Sequence, residues 1–230
     1  MKRGEMTKIP FHNKELLDKF SYFEQCANED YLAHFRGQGL NYKAKDAQKW
    51  TGLQHLHDIL NKRRDHEGFP EQLKSYSLQH NTFHQNVNTD LEEGNEKLRE
   101  VWAKLDEIKM MMGFRVNALF CVYPPGGFIS WHNNANASAY NLIFTWSENG
   151  DGGFRYLNRR NSKVVTIRDE PGWQCKAGYF ASYDENLPLD LMYHSAYTNC
   201  WRITIAFTLD TSESSFHLQQ TIIDGISSVQ

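Results

Sequence analysis

The sequence lacks the features that mark membrane-spanning or disulfide-rich secreted chains. No uninterrupted apolar stretch approaches the roughly 20 residues that a membrane-spanning helix needs. The charged segment 1–17 is not followed by an apolar run, so we expect no secretory signal peptide. The cysteines are scattered without a CxxC pair, at Cys26, Cys121, Cys175 and Cys200. These absences favour a cytoplasmic protein with reduced thiols.

A strong charge of either sign is also lacking. The formal net charge is −3 over 230 residues, which offers no broad basic field for nucleic acid or an anionic membrane. With 40% hydrophobic and 13% aromatic residues, the composition is that of a globular protein. The chain has no internal repeat, low-complexity tract or flexible linker. We therefore predict one domain over 1–230, with a helical flank (1–113), a core (114–210) and a C-terminal arm (211–230).

Helical patterns dominate the chain before Gly113. Residues 91–112 place apolar side chains at three- and four-residue steps, which predicts an amphipathic helix with one apolar face. Asp90 is a suitable N-cap for this helix, and Gly113 is a suitable stop. Shorter helices are predicted at 14–24 and 50–63.

Short β patterns divided by turn residues follow from Phe114 onward. The strand-like runs are rich in β-branched and aromatic residues, and they cover 115–123, 140–146, 152–157, 162–167, 173–182 and 201–209. Six short strands in about a hundred residues predict a sandwich, jelly roll or barrel. We expect the long apolar helix to pack on the outer face of this sheet, and the polar tail after Asp210 to be an arm or loosely docked.

Two histidines flank predicted strands in positions suited to metal binding. His132 follows a strand and turn in YPPGGFISWH, and His194 directly precedes the last strong strand. Imidazole nitrogens are common ligands of Fe(II), Zn and Cu(II), so two from neighbouring strands make half of a site. Ordinary partly buried histidines are the alternative. His80 and His84 have i,i+4 spacing but no third ligand, which favours a surface loop.

Arg202 is the second unusual residue, because it lies on an otherwise apolar strand. Alternation places Arg202, Thr204, Ala206 and Thr208 on one strand face and apolar residues on the other. A buried arginine needs an anionic partner, and a bidentate carboxylate suits its planar fork. That partner is either a protein Asp or Glu or the carboxylate of a ligand.

Five segments, taken in order, resemble the Fe(II)/2-oxoglutarate-dependent dioxygenases of the prolyl-hydroxylase-like type. These segments are Tyr123 to His132 (YPPGGFISWH), the Gly-Gly turn before Phe154, the Pro-Gly turn of 170–180, His194, and the Arg-Ile-Thr of 202–204. The match spans roughly 114–210. The resemblance implies an α+β, mainly β chain: a double-stranded β-helix (jelly roll) with flanking N-terminal helices.

The family's metal triad is His-x-Asp/Glu plus a distal His, so the resemblance implies Fe(II) at His132 and His194. The third position is Asn134, which offers a neutral carbonyl oxygen in place of a carboxylate. Two imidazoles and an amide should hold Fe(II) less tightly, although 2-oxoglutarate, itself a chelating dianion, could compensate. Asp151 and Asp184 are acidic alternatives without the required spacing.

The resemblance also implies 2-oxoglutarate as co-substrate, with its far carboxylate at Tyr123, Arg202 and Thr204. Dioxygen and a prime substrate that the sequence does not identify complete the reaction, in which decarboxylation to succinate accompanies oxidation of a substrate C–H bond. Hydroxylation is the first interpretation. A catalytically degenerate, cupin-like binding protein for a small carboxylic acid or a partner is the second. A zinc- or manganese-dependent jelly-roll isomerase or hydrolase is the third.

Overall fold

The computed structural model describes residues 3–33, 41–42, 46–62, 68–78, 92–135, 137–185, 187–212 and 216–229. The strands in these residues are β1 (Met6–Ile9), β2 (Asn41–Tyr42), β3 (Leu73–Ser77), β4 (Val116–Tyr123), β5 (Phe128–His132), β6 (Ala139–Ser147), β7 (Gly152–Asn158), β8 (Lys163–Arg168), β9 (Gly172–Phe180), β10 (His194–Thr198) and β11 (Arg202–Leu209). The helices are α1 (Lys14–Ser21), α2 (Glu29–Ala33), α3 (Ala47–Thr51), α4 (Leu53–Lys62), α5 (Glu92–Met112) and α6 (Phe216–Ser227).

The strands form one curled sheet with antiparallel pairing. Their order is β1-β9-β6-β11-β4-β3-β5-β10-β7-β8, with β2 paired to β3. Because β3 pairs with both β4 and β5, it joins a wall of β1, β9, β6, β11 and β4 to a wall of β5, β10, β7 and β8. This arrangement confirms the predicted fold class: an α+β, mainly β chain with a jelly-roll core resembling a double-stranded β-helix.

The last strand shows how the sequence creates two different faces of one wall. Ile203, Ile205 and Phe207 on β11 are fully buried in the hydrophobic core on the outer side of the sheet. Arg202 and Thr204 lie on the opposite face of β11, which lines the interior between the walls. The period of two therefore assigns both faces as predicted.

Helices cover the outer face of the β9-β6-β11-β4 wall. The apolar stripe of α5 (Leu98, Val101, Leu105 and Ile108) is buried in the same core as β11, which confirms the predicted packing. The helix ends at Gly113, whose φ of 70° favours glycine. The N-cap predicted at residue 90 lies outside the described residues. No helix in the described ranges is long and apolar enough to cross a membrane.

Several boundaries differ from the sequence-based expectations. The helix predicted over 14–24 ends at Ser21 and continues as a 3-10 helix, and the helix predicted over 50–63 is divided at Gly52. The N-terminal flank also supplies strands to the sheet. The expected loosely docked tail is wrong for its last part, because α6 buries Ile222 and Ile226 in the core. Apolar residues four apart on one helix face explain this docking.

All four cysteines are unpaired and buried. Burial raises the pKa of Cys26 to about 12 and that of Cys121 to about 11, so both are protonated thiols near neutral pH. This state agrees with the expectation of reduced thiols.

Candidate metal and carboxylate site

A cavity of about 420 Å³ lies between the two walls of the sheet. Its lining includes all six residues that the sequence singled out, namely Tyr123, His132, Asn134, His194, Arg202 and Thr204. The exposed residues of the lining, such as Phe69 and Arg115, mark its mouth. Arg202 is the first residue of β11. The backbone amide of Arg115, at the mouth, donates to the carbonyl of Thr208 near the other end of the same strand. The cavity therefore runs along most of that strand.

The two histidines are direct neighbours across β5 and β10. His132 and His194 are paired in register, and their ring centroids are 4.0 Å apart. Their Nδ1 atoms each lie 2.9 Å from a backbone carbonyl oxygen two residues earlier, that of Ser130 and that of Met192. A carbonyl only accepts, so each Nδ1 carries a hydrogen, and in the neutral form of each ring Nε2 carries the lone pair. This is the tautomer that coordinates a metal through Nε2.

The environment of His194 keeps its ring neutral. The side chain is buried between the rings of Phe154 and Phe180, with centroids at 5.5 and 4.7 Å. Burial lowers the pKa of His194 to about 4, against the opposing effect of the hydrogen bond to Met192. A neutral imidazole is the form that binds a metal.

Asn134 reaches the cavity by a route that the sequence did not predict. It does not continue the strand of His132, because β5 ends at that residue. Asn134 instead has a φ of 65°, in the left-handed region that asparagine tolerates better than most residues. Its backbone amide donates to the carbonyl of Gly68 at 2.8 Å, which fixes the turn. The turn, rather than strand alternation, brings Asn134 to the lining.

The described residues contain no group of three or more His, Cys, Asp or Glu side chains placed to hold a metal ion. Asp151 and Asp184, the acidic alternatives from the sequence, are absent from the cavity lining. His80 and His84 lie outside the described residues. Within the described part of the chain, the two imidazoles are thus supplemented by an amide and not by a carboxylate.

Arg202 is almost fully buried, and Asp169 is its protein partner. The Arg202 Nε donates to Asp169 Oδ2 at 2.7 Å, and its Nη1 donates to Thr204 Oγ1 at 2.5 Å. Its Nη2 is buried and has no hydrogen-bond partner in the part of the chain that the structure describes. Burial alone would lower the pKa of Arg202, but the charge and hydrogen bond of Asp169 outweigh it and raise that pKa. Both alternatives from the sequence therefore remain, because a protein carboxylate binds Nε while Nη2 is left for the carboxylate of a ligand.

A second buried cation, Lys176, lies near the same carboxylate. Its Nζ donates to Thr145 Oγ1 at 3.0 Å and lies 3.9 Å from Asp169 Oδ1. Burial lowers the pKa of Lys176 to about 8, although the charge of Asp169 opposes this effect. Tyr123 completes the surroundings, with its ring centroid 5.5 Å from the Arg202 guanidinium carbon. Burial raises the pKa of Tyr123, so the phenol keeps its proton.

The sequence reasoning missed Asp169 and Lys176. Asp169 lies in a segment rich in turn residues, DEPG, where an aspartate is expected for local reasons. Lys176 carried a usable signal, because it shares strand parity with Gly178 and Phe180, the second of which faces the cavity. A lysine at an inward position of a strand that is otherwise poor in charge indicates a buried charge cluster.

No family model matches the chain, and no curated protein matches it. Solved structures do match. OsALKBH1 is 12% identical with a TM-score of 0.42, over 91% of this chain and 98% of that one. A Pseudomonas putida prolyl-4-hydroxylase is 12% identical with a TM-score of 0.35, over 80% and 97%. The full-length Neurospora crassa T7H in complex with alpha-KG is 12% identical with a TM-score of 0.35, over 86% and 71%.

All three likenesses are at 12% identity with TM-scores of 0.42 or less, so the chemistry of this chain rests on the residues of the cavity.

Proposed function

We propose that this chain is an Fe(II)/2-oxoglutarate-dependent oxygenase that hydroxylates its prime substrate. One observation carries the proposal: the adjacent pair His132 and His194 lines the same cavity as Arg202, whose Nη2 has no hydrogen-bond partner among the described residues. The two imidazole nitrogens would hold the metal that the keto acid end of 2-oxoglutarate chelates. The unsatisfied donor of Arg202 would bind the carboxylate at the other end.

The histidine pair fits a divalent metal. Both Nδ1–H groups are fixed by backbone carbonyls, so His132 and His194 can present Nε2 without reorientation. The Asn134 side-chain oxygen is the third candidate ligand. Iron held there would supply the dioxygen chemistry that couples decarboxylation of 2-oxoglutarate to oxidation of a substrate C–H bond. With no protein carboxylate in this set, the keto acid supplies the negative charge.

The carboxylate end of 2-oxoglutarate fits the polar group at the start of β11. Arg202 Nη2 is the cationic donor. Thr204 Oγ1 already accepts from Arg202, so its own hydrogen is available to a ligand. Tyr123 is the third donor, because its raised pKa keeps the phenolic hydrogen in place. These residues bind and orient the co-substrate.

The remainder of the lining excludes water and restricts the prime substrate. Side chains such as Ile129, Ile143 and Phe180 make much of the wall apolar, which suits a reaction that must be protected from solvent. Arg115 and Arg202 are the charged residues among the described lining, and no Asp or Glu is in it. A neutral or anionic substrate is therefore favoured over a cationic one.

Metal content tests the first half of the proposal. We expect wild-type protein loaded anaerobically with Fe(II) to retain iron after gel filtration, and to retain more when 2-oxoglutarate is present. His194→Ala should lose the iron and keep its β-rich circular dichroism. His217→Ala, on the exposed face of α6, is the matched control and should behave as wild type. Equal iron content in wild type and the His132/His194 double alanine variant would remove the site assignment.

A binding protein without turnover is the second candidate, and the absence of a metal-coordinating carboxylate from the described residues favours it. It predicts that 2-oxoglutarate binds through Arg202 while no succinate forms. Retention of Zn(II) or Mn(II) in preference to Fe(II), with no response to 2-oxoglutarate, would instead support an isomerase or hydrolase.

A further inference from the structure

Lys176 is a buried cation to which the proposed reaction gives no role. It lies on β9 with 1% of its surface exposed, and its one described hydrogen bond goes to Thr145. The carboxylate of Asp169 is 3.9 Å away, which is an ion-pair distance but too long for a hydrogen bond. Burying a protonated lysine costs free energy unless an anion compensates its charge or the group gives up its proton.

Asp169 connects this lysine to the arginine. Its Oδ2 accepts from Arg202, and its Oδ1, which has no hydrogen-bond partner within the described ranges, lies 3.9 Å from the Lys176 Nζ. The backbone of Asp169 is fixed beside β7, because its amide donates to the carbonyl of Gly152 at 3.1 Å. A Cβ on Gly152 would lie only 2.9 Å from Oδ2, so the glycine leaves the space that the carboxylate occupies.

The charges of this cluster do not balance. Arg202 and protonated Lys176 supply two positive charges, and Asp169 supplies one negative charge. All three side chains are at most 2% exposed, so solvent does little to compensate the difference. An anion bound at the free donor of Arg202 would neutralise the cluster and favour the protonated form of Lys176.

We propose that Lys176 is a positioning residue of the carboxylate anchor, acting through Asp169, and that the anchor binds its carboxylate together with a proton held by Lys176. The inference rests on the proposed function, because it takes Arg202 as the anchor of 2-oxoglutarate.

The charges of the cluster determine whether binding of the carboxylate takes up or releases a proton. The pKa of Lys176 is about 8 without ligand, and a nearby carboxylate raises it. Binding therefore takes up a proton when the pH is near or above 8. Affinity should be constant well below pH 8 and should fall about fivefold between pH 8 and 9.

Other titratable groups face the cluster, and the experiment must distinguish their titration from that of Lys176. Burial raises the pKa values of Cys175 and Tyr123, which keeps both protonated in this range. Lys8 on β1 is paired in register with Lys176. Cys200 is the competing group, because hydrogen bonds from Ser147 and Thr198 outweigh the effect of burial and lower its pKa.

Calorimetry on metal-free protein tests the proposal, with 2-oxoglutarate and glutarate as probes. Titrations between pH 6.5 and 9 in buffers of different ionisation enthalpy measure the protons taken up. We expect almost none at pH 6.5 and roughly 0.7 per ligand at pH 8.5. Lys176→Met should abolish the uptake and weaken binding at pH 7. Cys200→Ser should retain the uptake, and Thr145→Val, which removes the hydrogen bond to Lys176, should move the midpoint to lower pH.

The outcomes separate this inference from the proposed function. If both probes bind with pH-independent affinity and no proton uptake, Lys176 has no part in the anchor and Arg202 keeps its role. Uptake that persists in Lys176→Met, or disappears in Cys200→Ser, also overturns the inference. If neither probe binds to wild type at any pH, the anchor itself is wrong and both proposals fail. If Lys176→Met does not fold, the inference is tested by the pH dependence of binding to the wild type and by the shift of its midpoint in Thr145→Val.

Discussion

Replacing Arg202 with lysine isolates the donor that is assigned to 2-oxoglutarate. A lysine at this position keeps a positive charge near Asp169, so the buried carboxylate retains a counter-ion. It removes the planar fork, and with it the bond to Thr204 and the free Nη2. The variant therefore tests the geometry of the guanidinium and not the presence of a charge.

The structure also sets the size of the expected effect. Because Nε and Nη1 are engaged by Asp169 and Thr204, Nη2 is the nitrogen of Arg202 left for the ligand, and we expect one hydrogen bond from it instead of the bidentate pair. A charge-assisted hydrogen bond contributes about 1.5–3 kcal/mol, so the affinity for 2-oxoglutarate should fall between roughly 10-fold and 150-fold. Arg168→Lys, on the exposed part of β8, is the matched control and should bind as wild type.

Binding of 2-oxoglutarate to the two arginine variants can be compared directly. Isothermal calorimetry with 2-oxoglutarate measures both arginine variants at one pH, with circular dichroism as the check on folding. Equal affinity in wild type and Arg202→Lys would mean that the carboxylate binds elsewhere. Arg202→Gln is the harsher comparison, because it leaves Lys176 as the nearest described counter-ion of Asp169 and should lower stability as well as affinity.

Three further outcomes are expected. Asn134→Asp should tighten Fe(II) binding tenfold or more and raise succinate formation without prime substrate, because a carboxylate adds a negative charge next to the dication. Unchanged iron affinity and turnover would mean that Asn134 does not face the metal. Gly152→Ala should weaken 2-oxoglutarate binding, because its Cβ would lie 2.9 Å from both Asp169 Oδ2 and the Tyr197 carbonyl oxygen and so displace the carboxylate, and equal binding in a titration would refute this. Lys176→Met should raise the free energy of unfolding at pH 7 by up to about 3 kcal/mol, with a smaller gain as the pH rises from 8 toward 10.5, measured by urea denaturation. A pH-independent gain would argue against a buried, titrating lysine.

The sign of that last effect follows from the lowered pKa. Between pH 8 and 10.5 the unfolded chain binds a proton on Lys176 that the folded chain does not. The wild type therefore gains stability with rising pH across this window, and the advantage of methionine shrinks.

The sequence predicted those parts of the site that depend on local pattern. Alternation along β11 correctly assigned Arg202 and Thr204 to the interior face, because a strand has a strict period of two. The order of the motifs brought His132 and His194 to one cavity, as the antiparallel pairing of β5 and β10 now explains. Long-range pairing itself was not readable, but the fold class limited where these strands could lie.

The missed features depend on turns and on contacts between distant segments. The left-handed backbone of Asn134 follows from its hydrogen bond to Gly68, which no strand pattern reveals. Asp169 was treated as a turn residue, although the turn delivers it to Arg202, 33 positions later in the chain. The docking of α6 was missed because the polar residues of the tail were given more weight than the isoleucines four apart, Ile222 and Ile226.

Succinate release from 2-oxoglutarate tests the central claim most directly. Wild-type protein with Fe(II) and dioxygen should convert 2-oxoglutarate to succinate, slowly by itself and faster with a suitable neutral or anionic substrate. His194→Ala should lose this activity, and His217→Ala should retain it. Iron and 2-oxoglutarate that bind to the wild type without any oxygen-dependent succinate, across peptides, nucleotides and small metabolites, would contradict the assignment as an oxygenase.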